Sequence, residues 1–183
     1  MQKELIHSIV EKQKAYFLSG ATLDVKERIK NLKKLHEAVR NYEEKLRSAL
    51  KRDLGKSAFE SDMCEVRLTE SEISYMISHT KRFSKDKSVY TPLAHFHSHS
   101  YVHYAPYGNV LIMSPWNYPV LLTLEPLADA LSAGNTVVLK SSLYSPETTK
   151  VMKEMIEDTF PVELVAYVDG GREENQALLD EKF

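Results

Sequence analysis

The residues with the most distinctive chemistry form one short turn, Pro115-Trp116-Asn117-Tyr118-Pro119. The turn combines two prolines, the only tryptophan of the chain and an uncharged amide. A rigid turn that carries an amide suits an oxyanion site, because the N–H donor must be fixed before negative charge develops on the substrate. The same residues also fit a structural interpretation, in which Trp116 packs into the core and Asn117 caps the next helix.

Two further features suit a nucleotide. Lys140 ends an apolar segment, where it would present a cation to ribose hydroxyls or phosphate, although a lysine at a strand end can equally extend into solvent. Gly170-Gly171 precedes a helical segment and would let backbone N–H groups approach a phosphate. Diglycine turns are common, so this second feature supports a nucleotide site only together with others.

Four histidines and the single cysteine are candidate metal ligands or nucleophiles. Four histidines stand at even spacings: His95, His97, His99 and His103. In an extended segment they would share one face and could bind a metal. No cysteine or acid lies within the run, which favours a solvated strand or loop, so we predict no metal site. Cys64 lies in an apolar helical segment without a neighbouring base, which is typical of a buried structural cysteine.

The first 83 residues have the apolar spacing of helices. Leu5, Ile6, Ile9 and Val10 suggest a helix at the start of the chain. A second stripe consists of Val25, Ile29, Leu32, Leu35 and Val39. Asp24 with Glu27 three residues later predicts a capping box, and Gly55 predicts a left-handed helix end. The third stripe is drawn through Phe59, Met63, Val66, Ile73, Met76 and Ile77. The segment 84–99 is polar and aperiodic and is interpreted as a connector, and alternation from Tyr101 to Ala105 predicts a strand.

From Val110 the chain alternates short apolar runs with helical stretches. The runs 110–113, 136–139 and 165–168 predict buried strands. Helices are predicted between them and after Gly171, and Ser145-Pro146-Glu147 has the residues of a helix start. This order predicts an α/β fold with a doubly wound parallel sheet. Because ligands bind beyond the carboxyl ends of such strands, the loops 114–119, 140–145 and 169–172 should meet at one site.

The overall composition excludes several classes of protein. A net charge of -2 gives no reason to expect nucleic acid or an anionic membrane as a partner. The 183 residues contain one cysteine, so no intramolecular disulfide can form, and no apolar run is long enough to span a membrane. The charged first residues do not fit a secretory signal. We therefore predict a cytoplasmic protein.

Together the motifs resemble the aldehyde dehydrogenase superfamily, and its class 3 branch in particular. They are the segments 106–112, Pro115-Trp116-Asn117-Tyr118-Pro119 and 133–140. The resemblance implies oxidation of an aldehyde to a carboxylic acid with NAD or NADP, through a cysteine thiolate and a glutamate-activated water. It also implies a Rossmann-like sheet and a homo-oligomer, expected to be a dimer in a full-length form.

By the same resemblance, Asn117 would be the oxyanion donor and Lys140 would hydrogen-bond the adenosine ribose. Trp116 would lie beside the cofactor and Tyr118 beside the substrate passage. The cofactor site would further include Ser114, Ser142 and Gly170. The family usually continues after the lysine with proline, serine or alanine, and glutamate, whereas this chain has Ser141-Ser142-Leu143. The missing carboxylate puts the preference for NAD over NADP in doubt.

The resemblance also predicts the organisation of the chain. We expect a helical region over 1–83, a connector and strand segment over 84–107, and a partial dinucleotide-binding βαβαβα unit over 108–183, truncated at its C-terminal end. The family's catalytic cysteine, catalytic glutamate and Thr-Gly-Ser phosphate loop would lie beyond residue 183, so the chain alone is expected to be inactive. An alternative is a non-catalytic module that binds a nucleotide or another subunit.

Overall fold

Three parallel strands organise the second half of the chain in the computed structural model, which describes residues 2–183. They are β3 (Asn109–Met113), β4 (Thr136–Lys140) and β5 (Val165–Tyr167), in the spatial order β3-β4-β5. Asn109 lies opposite Thr136, and Val137 lies opposite Val165. Every residue of β4 is buried, but most of β3 is not. The prediction of a strand buried on both faces holds for β4 and is wrong for β3, which is an edge strand.

Helices cover both faces of this sheet. The strands are connected by α5 (Leu121–Ala133) and α6 (Pro146–Thr159), and β5 is followed by α7 (Arg172–Leu179). Val137 and Leu139 of β4 pack with α5 and α6, whereas Val138 packs with α7 and with α1 (Gln2–Leu18). Alternate residues of a strand point to opposite faces, so β4 contributes to two cores. The predicted α/β fold with a doubly wound sheet is confirmed.

The remaining helices precede the sheet and share its larger core. They are α2 (Val25–Leu54), α3 (Ala58–Ser61) and α4 (Arg67–Phe83), with a π-helical turn at Asp62–Val66 between the last two. Leu32, Leu46 and Ile73 lie in the same buried cluster as α5 and α6. No helix within residues 2–183 is long and apolar enough to cross a membrane.

The capping predicted for α2 is present in part at Asp24 and in full at Gly55. Asp24 caps the first turn, as expected, by accepting a hydrogen bond of 2.9 Å from the Lys26 backbone N–H. The reciprocal half of the capping box is not formed, because Glu27 instead pairs with Lys30. Gly55 ends the helix with φ of 69°, the left-handed conformation that favours glycine.

The stripe predicted for the third helical stretch is partly wrong. Phe59 and Met63 are 74% and 55% exposed. The inward face instead consists of Ser61, Glu65, Val66, Thr69 and Ile73. This face is polar at its N-terminal end because it meets the loop before α5. Cys64 lies on the π-helical turn and is half-buried, so its prediction as a buried core residue is also wrong.

The predicted connector contains a strand that the sequence did not reveal. Short antiparallel strands β1 (Lys87–Val89) and β2 (Ser100–Val102) pair with each other, and a 3-10 turn at Leu93–His95 lies between them. The second strand confirms the alternation seen near Tyr101, although it is shorter than predicted.

The histidines of this segment do not share one extended face. His95 belongs to the 3-10 turn, and His97 has φ of 78°. Nδ1 of His103 lies 2.6 Å from an Asp86 carboxylate oxygen. Within the described part of the chain, no three residues of the types His, Cys, Asp and Glu are grouped so that they could hold a metal ion.

Candidate functional site

The three loops that follow β3, β4 and β5 meet at one groove of about 630 Å³, as the parallel topology predicts. We call it the strand-end groove and define it by its lining residues: Met113, Ser114, Pro115, Lys140, Ser141, Ser142, Leu143, Tyr144, Gly170, Gly171, Arg172 and Asn175. Four of the predicted site residues therefore lie together: Ser114, Lys140, Ser142 and Gly170. Its volume is within the usual range of small-molecule sites.

Lys140 lies at the base of this groove and is only 3% exposed. Its Nζ donates to the Ser141 carbonyl over 2.6 Å, and no other hydrogen bond of the ammonium group is formed within residues 2–183. Burial lowers the pKa of Lys140, and the carboxylates of Glu174 and Asp169 oppose that shift. The alternative of a lysine that extends into solvent is wrong. An ammonium group has three donors, so Lys140 retains hydrogen-bonding capacity toward the groove.

Buried hydroxyl groups form a cluster beside Lys140. The Ser114 Oγ lies 2.6 Å from Thr123 Oγ1 and 3.2 Å from Ser141 Oγ, and the Tyr167 hydroxyl donates to Ser141. Burial raises the pKa of Tyr167. The side chain of Ser114 is thus engaged within the fold, although the residue borders the groove. Ser142 is half-buried, and its hydroxyl accepts from the Tyr144 N–H over 3.2 Å.

The diglycine turn closes the groove at α7. Gly170 has φ of 130°, and a Cβ placed there would lie 2.4 Å from the Glu174 side chain, so the turn requires glycine. The Gly171 N–H donates to the buried carboxylate of Glu174. This N–H was expected to face a phosphate, but it is already satisfied by a residue of its own helix. Asn175, one residue further, borders the groove, and its buried Oδ1 has no hydrogen-bond partner among residues 2–183.

The loop of residues 114–119, here the amide loop, borders the strand-end groove with Ser114 and Pro115, but Trp116, Asn117 and Tyr118 lie outside the groove lining. Trp116 and Tyr118 are 51% and 39% exposed, and Asn117 is exposed with a side-chain amide that makes no hydrogen bond within residues 2–183. The N-cap of α5 is Val120, and it provides no side-chain hydrogen bond. The structural interpretation, in which Trp116 is a core residue and Asn117 a cap, is therefore wrong.

A buried ion pair that the sequence did not reveal holds the amide loop. Glu65 is fully buried, and its Oε2 accepts from the N–H groups of Val120 and Leu121 over 2.8 and 3.3 Å. Its Oε1 lies 2.5 Å from Lys56 Nζ. Lys56 also donates to the Asn117 carbonyl over 3.0 Å, and its Nζ lies 4.1 Å from the centre of the Tyr118 ring.

One signal in the sequence could have revealed Glu65. Ser61, Glu65, Thr69 and Ile73 recur every four residues, which places a carboxylate on the same helix face as the buried Ile73. A charged residue on an apolar stripe indicates a buried partner. The predicted stripe is wrong at Phe59 and Met63, which are exposed, and correct at Val66 and Ile73, which are buried.

The residues that follow Lys140 differ from the motif that the resemblance implies, and this difference changes the lining of the groove. Ser141 is 2% exposed and belongs to the hydroxyl cluster. Leu143, which stands where the family has glutamate, is 59% exposed and borders the groove near Gly171. The groove therefore carries an apolar side chain where the family motif would place a negative charge.

Comparisons with known proteins agree on one family. The model of the aldehyde dehydrogenase family matches residues 1–182. The 4,4'-diaponeurosporen-aldehyde dehydrogenase of Staphylococcus aureus (strain NCTC 8325 / PS 47) is 39% identical over 93% of this chain and 37% of its own length. The aldehyde dehydrogenase family 3 member B2 of Mus musculus is 39% identical over 97% of this chain and 36% of its own. The chain thus spans little more than a third of these relatives.

Solved structures give the same result. A Staphylococcus aureus AldH in a substrate-bound state aligns with a TM-score of 0.93 and 38% identity, over 95% of this chain and 38% of that protein. PnpE in complex with nicotinamide adenine dinucleotide aligns with a TM-score of 0.79 and 27% identity, over 94% of this chain and 35% of that protein. A succinic semialdehyde dehydrogenase from Streptococcus pyogenes with NADP+ shares the fold, with a TM-score of 0.83 and 18% identity over 96% of this chain and 38% of that protein. Structures similar to this chain thus include complexes with both cofactors.

Proposed function

Because the chain belongs to the aldehyde dehydrogenase family, we propose that it forms the N-terminal part of an enzyme that oxidises an aldehyde to a carboxylic acid with NAD or NADP. One observation carries the proposal. The strand-end groove, with the buried Lys140 and the Gly170-Gly171 turn, shares Ser114 and Pro115 with the amide loop, which also carries the exposed Asn117. The overlap supports a nucleotide site next to a candidate oxyanion donor.

The residues of the groove fit the adenosine end of a dinucleotide. Lys140 has unused donors for ribose oxygens, and the polar side chain of Asn175 borders the same groove. Ser142 and Ser114 would contribute polar edges, and Gly170 would allow close approach of the ligand to the backbone. The bound cofactor would supply the acceptor for the hydride of the aldehyde.

The chemistry assigned to this chain is stabilisation of negative charge on the aldehyde oxygen. The Asn117 amide would donate a hydrogen bond to that oxygen as it becomes an oxyanion. Its lack of any internal hydrogen bond leaves the amide available for this purpose. Trp116 would lie beside the cofactor and Tyr118 beside the substrate passage.

We further propose that these 183 residues do not catalyse the reaction by themselves. The reaction needs a thiolate, and the only cysteine, Cys64, lies on the π-helical turn and does not border the strand-end groove. A cytoplasmic location and a dimeric assembly stay predictions from the sequence.

Two measurements test the proposal. Calorimetric titration with NAD and with NADP, on a protein that contains this chain and a complete catalytic region, should show an affinity that Lys140→Met lowers. The control Lys150→Met, at an exposed position of α6, should leave the affinity unchanged.

The second measurement is turnover of aliphatic and aromatic aldehydes by the 183-residue chain and by the catalytically complete protein. We expect activity only in the complete protein. Turnover by the short chain that is lost in Cys64→Ser would contradict the inactivity of the chain alone. Cofactor binding without oxidation of any aldehyde by the complete protein would favour a non-catalytic nucleotide-binding module instead.

A further inference from the structure

The amide loop is held from below by the Lys56–Glu65 pair, and we propose that these two residues are positioning residues for the Asn117 amide. They would act through the backbone of the loop and touch neither aldehyde nor cofactor. The inference rests on the proposed aldehyde oxidation, because it assigns these residues a part in that reaction. The geometry behind it is independent of the cofactor groove, since neither Lys56 nor Glu65 borders that groove.

Every hydrogen-bonding atom at the centre of the pair is directed at the loop or at its partner. Lys56 Nζ contacts the Glu65 carboxylate, the Asn117 carbonyl and the face of the Tyr118 ring. The second carboxylate oxygen of Glu65 accepts from the first N–H groups of α5. The pair therefore fixes the loop at Asn117 and at its junction with α5. Lys56 and Glu65 are 7% and 0% exposed, so water does not compete for these bonds.

The other hydrogen bonds of the amide loop within residues 2–183 fix its two ends: the Ser114 N–H donates to the Lys140 carbonyl, and the Tyr118 and Pro119 carbonyls accept from the Leu122 N–H and the Thr123 hydroxyl. Trp116 and Asn117, between these ends, are exposed, and the N-cap of α5 provides no side-chain hydrogen bond within the same residues. Prolines 115 and 119 restrict φ only at their own positions. The orientation of the peptide between Asn117 and Tyr118 is set by the hydrogen bond from Lys56. That peptide carries the Asn117 Cα, from which the amide side chain projects.

The cost of this arrangement points to a purpose other than stability. A buried ion pair is often no more stabilising than apolar residues of the same volume, because both charges must be desolvated. Glu65 also lies on a π-helical turn, an irregularity that occurs frequently at functional sites. A loop that only needed to be ordered could be packed by apolar side chains. A loop that must present an amide in one orientation gains from directed hydrogen bonds.

Kinetics of variants in the catalytically complete protein test the inference. Lys56→Met removes the bond to Asn117 and should lower kcat about ten-fold or more, since a small displacement of a reacting group is costly. The dissociation constant of NAD should change less than two-fold. The matched control is Lys45→Met, which removes an exposed pair from α2 to Glu154 and should leave both constants unchanged.

A double-mutant cycle identifies the route through Asn117. If Lys56 acts only by positioning that amide, Lys56→Met should lower kcat much less in the Asn117→Ala background than in the native one. Equal losses in both backgrounds would overturn the inference, as would an unchanged kcat in Lys56→Met alone. If Asn117→Ala itself has no effect on kcat, the oxyanion assignment of the proposed function fails instead. The two failures are therefore distinguishable.

A second variant separates positioning from folding. In Lys56→Met/Glu65→Gln no unpaired charge is buried, and the glutamine oxygen can still accept from the Val120 N–H. We expect this variant to recover most of the stability that Lys56→Met loses, while kcat stays low. Amide hydrogen exchange at Val120 and Leu121, whose N–H groups donate to Glu65, should accelerate about ten-fold or more in the 183-residue chain, because a neutral amide oxygen accepts more weakly than a carboxylate. Recovery of kcat together with stability, or unchanged exchange, would show a merely structural pair.

Discussion

The amide loop and the strand-end groove are neighbouring regions, but the buried polar groups of the two regions differ in how many hydrogen-bond partners they have. The charged groups beneath the amide loop, Lys56 and Glu65, have all their partners within the fold. In the groove, Lys140 makes one hydrogen bond and Asn175 leaves a buried oxygen without a partner. The hydrogen bonds beneath the amide loop are therefore formed before any ligand binds, whereas the groove has hydrogen-bonding groups left for a ligand. This difference suits an oxyanion donor on one side and a cofactor on the other.

The sharpest test of this contrast is the loss of Glu65. Glu65→Ala leaves Lys56 buried without its counter-ion and removes the cap of α5, so we expect a loss of about 3–5 kcal/mol in the free energy of unfolding. Urea unfolding of the 183-residue chain measures it. Glu154→Ala removes an exposed carboxylate of a surface pair and should cost about 1 kcal/mol or less. Equal losses in both variants would show that the region beneath the loop is no more critical than the surface.

The next largest effect concerns the exposed amide itself. Asn117→Ala in a catalytically complete protein should lower kcat about one hundred-fold or more, because it removes the donor to the oxyanion. Cofactor affinity should change little, since Asn117 lies outside the strand-end groove. Steady-state kinetics and calorimetric titration measure the two quantities. Unchanged turnover would rule the oxyanion assignment out.

A smaller effect is expected at the start of α6, where the sequence predicted a serine cap. The Ser145 hydroxyl is buried without a partner, and Asp53 of α2 instead accepts from the N–H groups of Glu147 and Thr148 over 3.1 and 2.7 Å. Asp53→Ala should lower the free energy of unfolding by about 1 kcal/mol, the usual contribution of a cap. Ser145→Ala should cost less, and a larger loss in that variant would restore the sequence-based cap.

The smallest expected effect is on cofactor choice at the groove. Leu143→Glu places a carboxylate where the family motif has one, and it should shift the ratio of kcat/KM for NAD over NADP toward NAD. An exposed charge contributes about 1 kcal/mol or less, so the shift should be about five-fold at most. Leu143→Gln, of the same length without charge, is the control. A shift toward NADP would contradict the assignment of the groove beside Leu143 to the adenosine end of the cofactor.

Local sequence patterns were sufficient to predict the two ends of α2 and the positions of two strands. Asp24 and Gly55 mark the ends of α2, and the apolar runs at 110–113 and 136–139 mark β3 and β4. The convergence of three loops followed from parallel topology alone. The Gly170-Gly171 turn was identified correctly, but its N–H was assigned to a ligand when Glu174 already accepts from it.

The sequence by itself determined the order of the strands and helices from β3 onward, the parallel sheet and the family, because strand and helix periodicities and the Pro-Trp-Asn-Tyr-Pro turn are local. Only the tertiary structure decided which carboxylates cap which helices. At the start of α5, Glu65 accepts from the N–H group of Val120, which is 55 residues away in the sequence. In the first turn of α6, Asp53 accepts from the N–H groups of Glu147 and Thr148, which are 94 and 95 residues away. A buried N–H group needs an acceptor from whatever residue the fold brings near. Sequence spacing carries no record of that proximity.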